Sequence, residues 1–224
     1  EVLADQQLED FSAICLVDPL PLAEKDWQRL VRFSSQGGGV GLLLGHNATV
    51  NGFESPLAQQ MLGGRLLRQW RPAGGTFLDP ADETHPVMSE FREVASSVPW
   101  QEFPVYRYWQ MELAAGARQI LHFANSDHAA VFEQLVGQGR TITFTTPVSE
   151  PFQLSDRQPW NDLVSGENAW PYFILANQVA RQLVSSGESR LNYLAGETVQ
   201  LVNDPERDAE KYQLFAPQGE PQPI

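Results

Sequence analysis

Four polar residues could bring acid–base chemistry to one edge of a sheet. His46 and Asn47 directly follow a continuous apolar run, Asp18 directly follows an earlier one, and Glu150 comes shortly after a third. In doubly wound folds the carboxyl ends of the strands line the ligand crevice, so His46 could act there as an acid or base with Asp18 or Glu150. The alternative is an ordinary loop in which Asn47 forms an Asx turn.

An aromatic segment at residues 100–109 offers a different kind of site. Its members are Trp100, Phe103, Tyr106, Tyr108 and Trp109, with Arg107 among them. A face that exposed Tyr106 and Trp109 could stack on a sugar or an aromatic ligand, with Arg107 paired over a ring. The alternative is a strand that covers one side of the core, because aromatic side chains favour half-buried pleated surfaces.

A group of acidic residues near residue 82 could in principle hold a metal ion. The candidate ligands are Asp79, Asp82, Glu83 and His85. Their spacing fits no EF-hand loop, and we expect Asp79 and Asp82 to cap a short helical turn instead. The sequence therefore predicts no metal site and no cofactor, and it predicts structural roles for His122 and His128.

The elements that must position these residues belong to an α/β fold. Apolar runs over residues 11–17 and 40–44 predict two buried strands, and the spacing of apolar residues over 22–36 predicts a helix between them. Three glycines at 37–39 end that helix. Because both runs are apolar on both faces, they favour a βαβ unit of a parallel sheet that is covered on both sides.

Further elements extend to about residue 185. Helical spacing predicts three more helices, at 55–62, 87–94 and 170–185. Strand-like patterns predict four more strands, at 106–113, 119–124, 130–136 and 140–145, the last two joined by a tight turn. Two short strands, at 197–202 and 211–216, follow a change of pattern. We assign residues 1–188 to one α/β domain and residues 189–224 to a β-hairpin segment that begins a following domain.

Composition excludes several classes of partner. The 224 residues carry 15 basic and 28 acidic side chains, and the net charge of −13 argues against nucleic acid and anionic membrane surfaces. No apolar run approaches the ~20 residues that span a bilayer, so we expect no membrane insertion of this segment. The start without methionine and the Pro-rich end suggest a domain excised from a longer protein.

Several motifs resemble those of class I glutamine amidotransferases. The run Gly41-Leu-Leu-Leu-Gly-His-Asn47 resembles the strand and nucleophile elbow of that family, which reads Gly-Ile-Cys-Leu-Gly-His-Gln. Phe144-Thr-Thr-Pro-Val148 stands where the family has Phe-His-Pro-Glu. The resemblance implies a three-layer, flavodoxin-like fold, with a mainly parallel sheet flanked by helices and a short β-rich C-terminal segment.

The order of smaller motifs resembles a particular setting of this domain. The motifs are Asp18-Pro19, the glycines at 37–39, Phe77-Leu-Asp-Pro80, His85-Pro86 and Trp160-Asn-Asp162. Amidotransferase-like domains with this order occur in large membrane-anchored bacterial proteins that have BatA-type N-terminal transmembrane helices and a von Willebrand A domain. The resemblance implies a periplasmic or envelope-associated location.

The resemblance also implies that the catalytic triad is lost. Leu43 stands at the cysteine position, and Thr146 and Val148 stand at the histidine and glutamate positions. Leucine cannot attack a carbonyl, and valine cannot orient an imidazole. The single cysteine, Cys15, is expected to be a small core residue. We expect Leu43 to be buried in an ordinary strand conformation, since no thiol has to be presented on a strained elbow.

These observations predict one function and leave two alternatives. We expect a non-catalytic amidotransferase-like domain that serves as an interaction or scaffold module of a larger bacterial cell-envelope protein. Its partners would be other domains of the parent protein or an envelope protein. The alternatives are a hydrolase-type enzyme built around His46 and a ligand-binding module that uses the aromatic face of residues 100–109.

Overall fold

The computed structural model describes residues 6–92, 98–148, 159–164 and 169–185, together with the backbone of residues 213–214 and 222–223. The chain forms two compact units, Glu1–Ser189 and Arg190–Ile224. In the described part of the chain, no helix is both long enough and apolar enough to cross a bilayer.

The first unit contains the expected βαβ arrangement, but its first strand is only partly covered and not buried as expected, because it is the edge strand of the sheet. Strand β1 (Ala13–Val17) is followed by helix α1 (Glu24–Ser35) and strand β2 (Gly39–Leu43), and the two strands pair in parallel. Helix α1 buries the apolar side chains that were spaced for it, with Trp27 and Leu30 almost fully covered. It ends before Gly37, whose φ of 107° favours glycine.

The other elements of the first unit follow in chain order. They are α2 (Pro56–Leu62), β3 (Gly64–Trp70), β4 (Leu78–Pro80), α3 (Ser89–Arg92), β5 (Tyr108–Leu113), β6 (Arg118–Phe123), β7 (Ala129–Val136), β8 (Gly139–Phe144) and α4 (Trp170–Val184). The sequence predicts most of them within a few residues. Strands β3 and β4 are additional, and α3 is shorter than the helix expected at 87–94.

Six strands form a mixed central sheet in the order β1-β2-β8-β7-β6-β4. The strands β1, β2 and β8 are parallel, whereas β7, β6 and β4 join in antiparallel pairs. The sheet is therefore parallel in one half only, not mainly parallel as expected. The reason is that short turns join β6 to β7 and β7 to β8, and such turns connect antiparallel neighbours.

Two apolar clusters pack the two faces of this sheet. Helices α1 and α2 bury residues such as Trp27 and Met61 on one face. Helices α3 and α4 bury residues such as Phe91, Leu175 and Leu183 on the other. The resulting helix–sheet–helix layers confirm the α/β, flavodoxin-like fold class.

Strands β3 and β5 pair in antiparallel fashion as a separate two-stranded sheet, called here the β3–β5 arm. The backbone amide of Trp109 donates to the carbonyl of Thr145, just after β8, at 2.7 Å. The indole Nε1–H of Trp109 donates to the carbonyl of Gly45, just after β2, at 2.9 Å. The arm therefore lies at the carboxyl ends of β2 and β8.

In the second unit, β9 (Gln213–Leu214) and β10 (Gln222–Pro223) pair in antiparallel fashion. The strand expected at 197–202 lies outside the described residues. The assignment of this unit to the start of a following domain stays a prediction.

Candidate functional site

The candidate site is the crevice at the carboxyl ends of β1, β2 and β8. These strands are parallel neighbours, so the residues that follow them meet at one edge of the sheet. Asp18 follows β1, His46 and Asn47 follow β2, and Thr146 follows β8. Glu150, the other carboxylate considered from the sequence, lies outside the described residues.

Asp18 and Asn47 are joined by three hydrogen bonds. The backbone N–H of Asn47 donates to Oδ1 of Asp18 at 2.8 Å, and Nδ2 of Asn47 donates to Oδ2 at 3.2 Å. The same Nδ2 donates to the backbone carbonyl of Asp18 at 3.0 Å. The Asn47 side chain therefore links two strand ends across the crevice, and the carboxylate of Asp18 is held in one orientation.

The backbone of Asp18 is left-handed, with a φ of 45°. Among the described residues other than glycine, Asn125 alone shares this feature, with a φ of 61°. A Cβ added to Gly45 would come within 2.5 Å of Oδ1 of Asp18, so the carboxylate requires glycine there. Backbone strain of this kind clusters at ligand sites and switch regions.

His46 packs against an aromatic wall of the crevice. Its ring lies edge-on to Trp160, with 5.0 Å between the ring centroids. The guanidinium carbon of Arg107 lies 5.2 Å from the centroid of the Trp160 ring. The site thus combines an imidazole, an oriented carboxylate and a cation, which is a set able to bind polar ligands or to move protons.

The three triad positions of the amidotransferase alignment also meet here. Leu43 is the last residue of β2 and lies in register with Phe144 of β8, so Thr146 follows close by. Leu43 adopts a strand conformation without positive φ, as expected. The expectation that it is buried is wrong, because Leu43 is half-buried. Strand alternation sends Leu42 and Leu44 to the fully covered α1–α2 face and Leu43 to the other.

Thr146 stands at the histidine position and is 2% exposed. Its Oγ1 donates to the carbonyl of Arg107 at 3.0 Å and accepts from Nδ2 of Asn161 at 2.9 Å. Nδ2 of Asn161 also donates to the carbonyl of Pro147 at 2.7 Å. The hydroxyl therefore connects the end of β8 to the Trp160–Asp162 segment.

Val148 stands at the glutamate position and is half-buried. Its backbone carbonyl accepts a hydrogen bond from the Tyr172 hydroxyl.

The aromatic segment at 100–109 does not form one exposed face. Trp109 is 4% exposed, and Trp100, Phe103 and Tyr108 are also buried. Tyr106 is exposed, and its hydroxyl donates to Oδ2 of Asp162 at 2.7 Å, a bond that raises the pKa of the phenol. Strand alternation places Tyr108 and Trp109 in different apolar clusters, so the segment holds the core together.

The acidic group near residue 82 is divided among different partners. Oδ1 of Asp82 accepts from the backbone amide of Thr84, as expected for a turn cap. Asp79 instead lies in β4 and faces His122, so its predicted capping role is wrong. His85 is fully buried, with Nε2 3.3 Å from the carboxylate of Glu133. Across the described ranges, no three His, Cys, Asp or Glu side chains converge as metal ligands.

Cys15 is exposed, so the expectation of a core residue is wrong. The residue lies on β1, which is the edge strand of the central sheet. Its Sγ nevertheless lies against Gly41, and this partial burial raises the pKa of the thiol. A thiol with a raised pKa is a weak nucleophile at neutral pH. Cys15 also lies within β1, three residues before Asp18, and not among the residues that follow the strands into the crevice.

The sequence did not predict the role of Asn161 in the crevice, and it predicted that Arg107 pairs over a ring without indicating which ring. Asn161 fixes Thr146, and Arg107 lies over Trp160. The position of the Trp160-Asn-Asp162 motif after β8 was the signal that could have placed it at this edge. Nothing in the spacing of Arg107 pointed to Trp160.

Comparison with known proteins defines the class of fold. No protein-family model matches this chain, and no curated protein matches it. A cytoplasmic protein from Salmonella typhimurium superposes with a TM-score of 0.56 at 15% identity, over 75% of this chain and 72% of that one. A second cytoplasmic protein, from Salmonella typhimurium LT2, gives a TM-score of 0.57 at 12% identity, over 78% and 73%.

A ThuA-like protein from Bacteroides uniformis has the same arrangement. Its TM-score is 0.54 at 14% identity, over 81% of this chain and 73% of that one. At such identities the likeness establishes the fold alone. The chain therefore shares the α/β fold of these three proteins, which is consistent with the expected amidotransferase-like fold.

Proposed function

We propose that this chain is a non-catalytic amidotransferase-like domain that serves as an interaction or scaffold module of a larger bacterial cell-envelope protein. The observation that carries the proposal is that Thr146 is buried and its hydroxyl is hydrogen-bonded. A histidine at this position would have to face the crevice, whereas the threonine is buried and both donates and accepts a hydrogen bond. Leu43 and Val148 supply no group that could attack or orient.

The contacts within the crevice support a structural use of this edge. Asp18 is held by Asn47, the Gly45 carbonyl by Trp109, and Thr146 by Asn161. These bonds fix the loops after β1, β2 and β8 relative to one another. A fixed set of loops is a suitable surface for a partner, because little conformational entropy is lost on binding.

The proposal that this domain belongs to a cell-envelope protein rests on the order of motifs along the chain. That order resembles domains in membrane-anchored proteins with BatA-type helices and a von Willebrand A domain. The partners would then be other domains of the parent protein or an envelope protein. The net charge of −13 makes nucleic acid an unsuitable partner.

A glutaminase assay tests the loss of catalysis. The purified chain and the Leu43→Cys variant are incubated with glutamine, and ammonia release is measured against buffer. We expect no release from either protein, because Thr146 cannot act as the base for a new thiol. Hydrolysis of glutamine by the unmodified chain would overturn the proposal.

A hydrolase built around His46 is a second candidate, and the left-handed backbone of Asp18 beside it is the observation in its favour. Activated esters and amides test this candidate. Turnover that is lost in His46→Ala and kept in His122→Ala would favour the enzyme. Absence of turnover with every substrate would favour the scaffold.

A further inference from the structure

A second polar cluster lies at the same edge of the sheet, between the β3–β5 arm and the start of β7. His128 immediately precedes β7 and is half-buried. The arm contributes Tyr108 and Gln110 from β5 and Arg68 and Trp70 from β3. The imidazole is thus one of the points at which side chains of the arm meet the central sheet.

The hydrogen bonds of this cluster determine the tautomer of His128. Nε of Arg68 donates to Oε1 of Gln110 at 2.9 Å, which fixes the orientation of the Gln110 amide. Nε2 of Gln110 therefore faces Nε2 of His128, at 3.0 Å. An amide nitrogen can only donate, so Nε2 of His128 must accept and carries no proton. The proton of the neutral ring then lies on Nδ1, which donates to the Tyr108 hydroxyl at 2.7 Å.

Aromatic contacts surround the same ring. Trp70 lies edge-on to His128, with 5.2 Å between centroids, and the guanidinium carbon of Arg68 lies 4.6 Å from the centroid of Trp70. Tyr108 stacks on Phe123 of β6, with 3.7 Å between centroids. The contacts of His128 therefore reach both strands of the arm and, through Tyr108, the central sheet.

Protonation at Nε2 would break this arrangement. The new N–H would point at the N–H of Gln110, and the ring would gain a positive charge close to the guanidinium of Arg68. The charged groups that act on the ring are Arg68 from β3 and Asp127, the preceding residue; Tyr108 of β5 carries a neutral phenol. Burial above all, and Arg68 next, lower the pKa of His128, and Asp127 opposes them.

We propose that His128 is a pH-sensitive latch, which holds the β3–β5 arm against the central sheet while Nε2 is unprotonated and loosens the arm when that nitrogen gains a proton. The arm also carries Trp109, which binds the carbonyls of Gly45 and Thr145 at the crevice. Acidification therefore loosens the cover of the crevice. This inference is independent of the proposed scaffold function.

Nuclear magnetic resonance on the full chain tests the latch. Histidine side-chain spectra give the tautomer and the pKa of each imidazole, and hydrogen exchange gives the opening of the arm relative to β2 and β8. We expect His128 to carry its proton on Nδ1 and to titrate below about 6.5. Between pH 7 and pH 5, the opening equilibrium of the arm should rise about threefold or more relative to β2 and β8.

The Gln110→Glu variant reverses the effect. A carboxylate accepts from protonated Nε2 and still accepts from Arg68, so His128 should titrate above 6.5 and the arm should stay protected at pH 5. Gln69→Glu adds the same charge to the same arm but on the other face of β3, and it should behave like the unmodified chain. A proton on Nε2 at neutral pH, or arm opening that does not change as His128 titrates, would overturn the proposal. An equal shift in both variants would also do so.

Discussion

The carboxylate of Asp18 accepts hydrogen bonds from both the backbone amide and the side-chain amide of Asn47. This pair connects the ends of β1 and β2 while Asp18 holds a φ of 45°. A left-handed conformation costs a residue with a Cβ roughly 1–2 kcal/mol. The two bonds are exposed to solvent, and such bonds contribute about 0.5–1.5 kcal/mol each, so together they offset the strain.

Replacing Asp18 separates the strain from the bonds. Asp18→Ala keeps the strain and loses the two carboxylate bonds, so it should lower the free energy of unfolding by about 1–3 kcal/mol. Asp18→Gly loses the bonds but removes the strain, so its loss should be about 1 kcal/mol smaller. Urea unfolding measures both variants. Asn125 also has a left-handed backbone, with a φ of 61°, so Asn125→Ala and Asn125→Gly are the matched control pair. If Asp18→Ala and Asp18→Gly lower the free energy of unfolding equally, the backbone of Asp18 is not strained.

A side chain at Gly45 should destabilise the protein while Asp18 is present. In Gly45→Ala the new Cβ would meet Oδ1 of Asp18 at 2.5 Å, so the loops must move apart at a cost of about 1–3 kcal/mol. In the Asp18→Gly background the same substitution should cost less than half as much. Urea unfolding of the four proteins gives the coupling between the two sites. Additive effects would show that the two residues do not meet.

Glu133 should make the protein sensitive to acid. Its carboxylate lies near Nε2 of His85 and accepts from Arg140 and Gln182, both at 2.9 Å. Burial alone would raise the pKa of Glu133, but these partners outweigh it and lower the pKa from 4.5 to about 2. Because the folded pKa is depressed, the stabilisation is present above pH 4.5 and is lost as the pH falls towards 2.

The loss over that interval should be about 3 kcal/mol in the free energy of unfolding, measured by urea unfolding at several pH values. In Glu133→Gln this part of the pH dependence should disappear. Glu112→Gln removes an exposed carboxylate that pairs with Arg65, and it should leave the acid profile nearly unchanged. If Glu133→Gln shows the same pH dependence of the free energy of unfolding as the original chain, Glu133 is not the cause of the acid sensitivity.

Cys15 should react with a disulfide reagent in the folded protein, because it is exposed on the edge strand β1. Its raised pKa should make the reaction slower at pH 7 than that of free cysteine, with a rate that keeps rising above pH 9. The released chromophore measures the rate as a function of pH, and the urea-unfolded chain is the control. A thiol that reacts only after unfolding would place Cys15 in the core.

The parts of the fold that the sequence predicts are those with a regular apolar pattern. The apolar runs at β1 and β2 and the helical spacing in α1 left few alternatives. Strand β3 was missed because Arg65, Arg68 and Gln69 interrupt any apolar run, and a β-bulge between Leu66 and Arg68 breaks its alternation. Strand β4 has three residues and ends at Pro80, so it carries little strand signal.

The sequence predicted where the candidate site lies, but it did not predict the hydrogen bonds within the site. The rule that strand ends line the crevice brought Asp18 and Asn47 to one edge, where the structure has them. It could not predict that Asn47 would bind Asp18 rather than form an Asx turn. It also could not show that Trp109 is covered, since the orientation of β5 depends on its pairing with β3, which the sequence did not reveal.

The pairing of β2 with β8 sets Gly39 opposite Arg140, so neighbouring strands come from sequence roughly one hundred residues apart. During synthesis, β1, α1 and β2 leave the ribosome well before β8 exists. At about 5–20 residues per second, the apolar strand β2 waits roughly 5–20 s for the neighbour that completes the sheet. Nascent chains of this protein should therefore be clients of ribosome-associated chaperones until residue 144 has emerged.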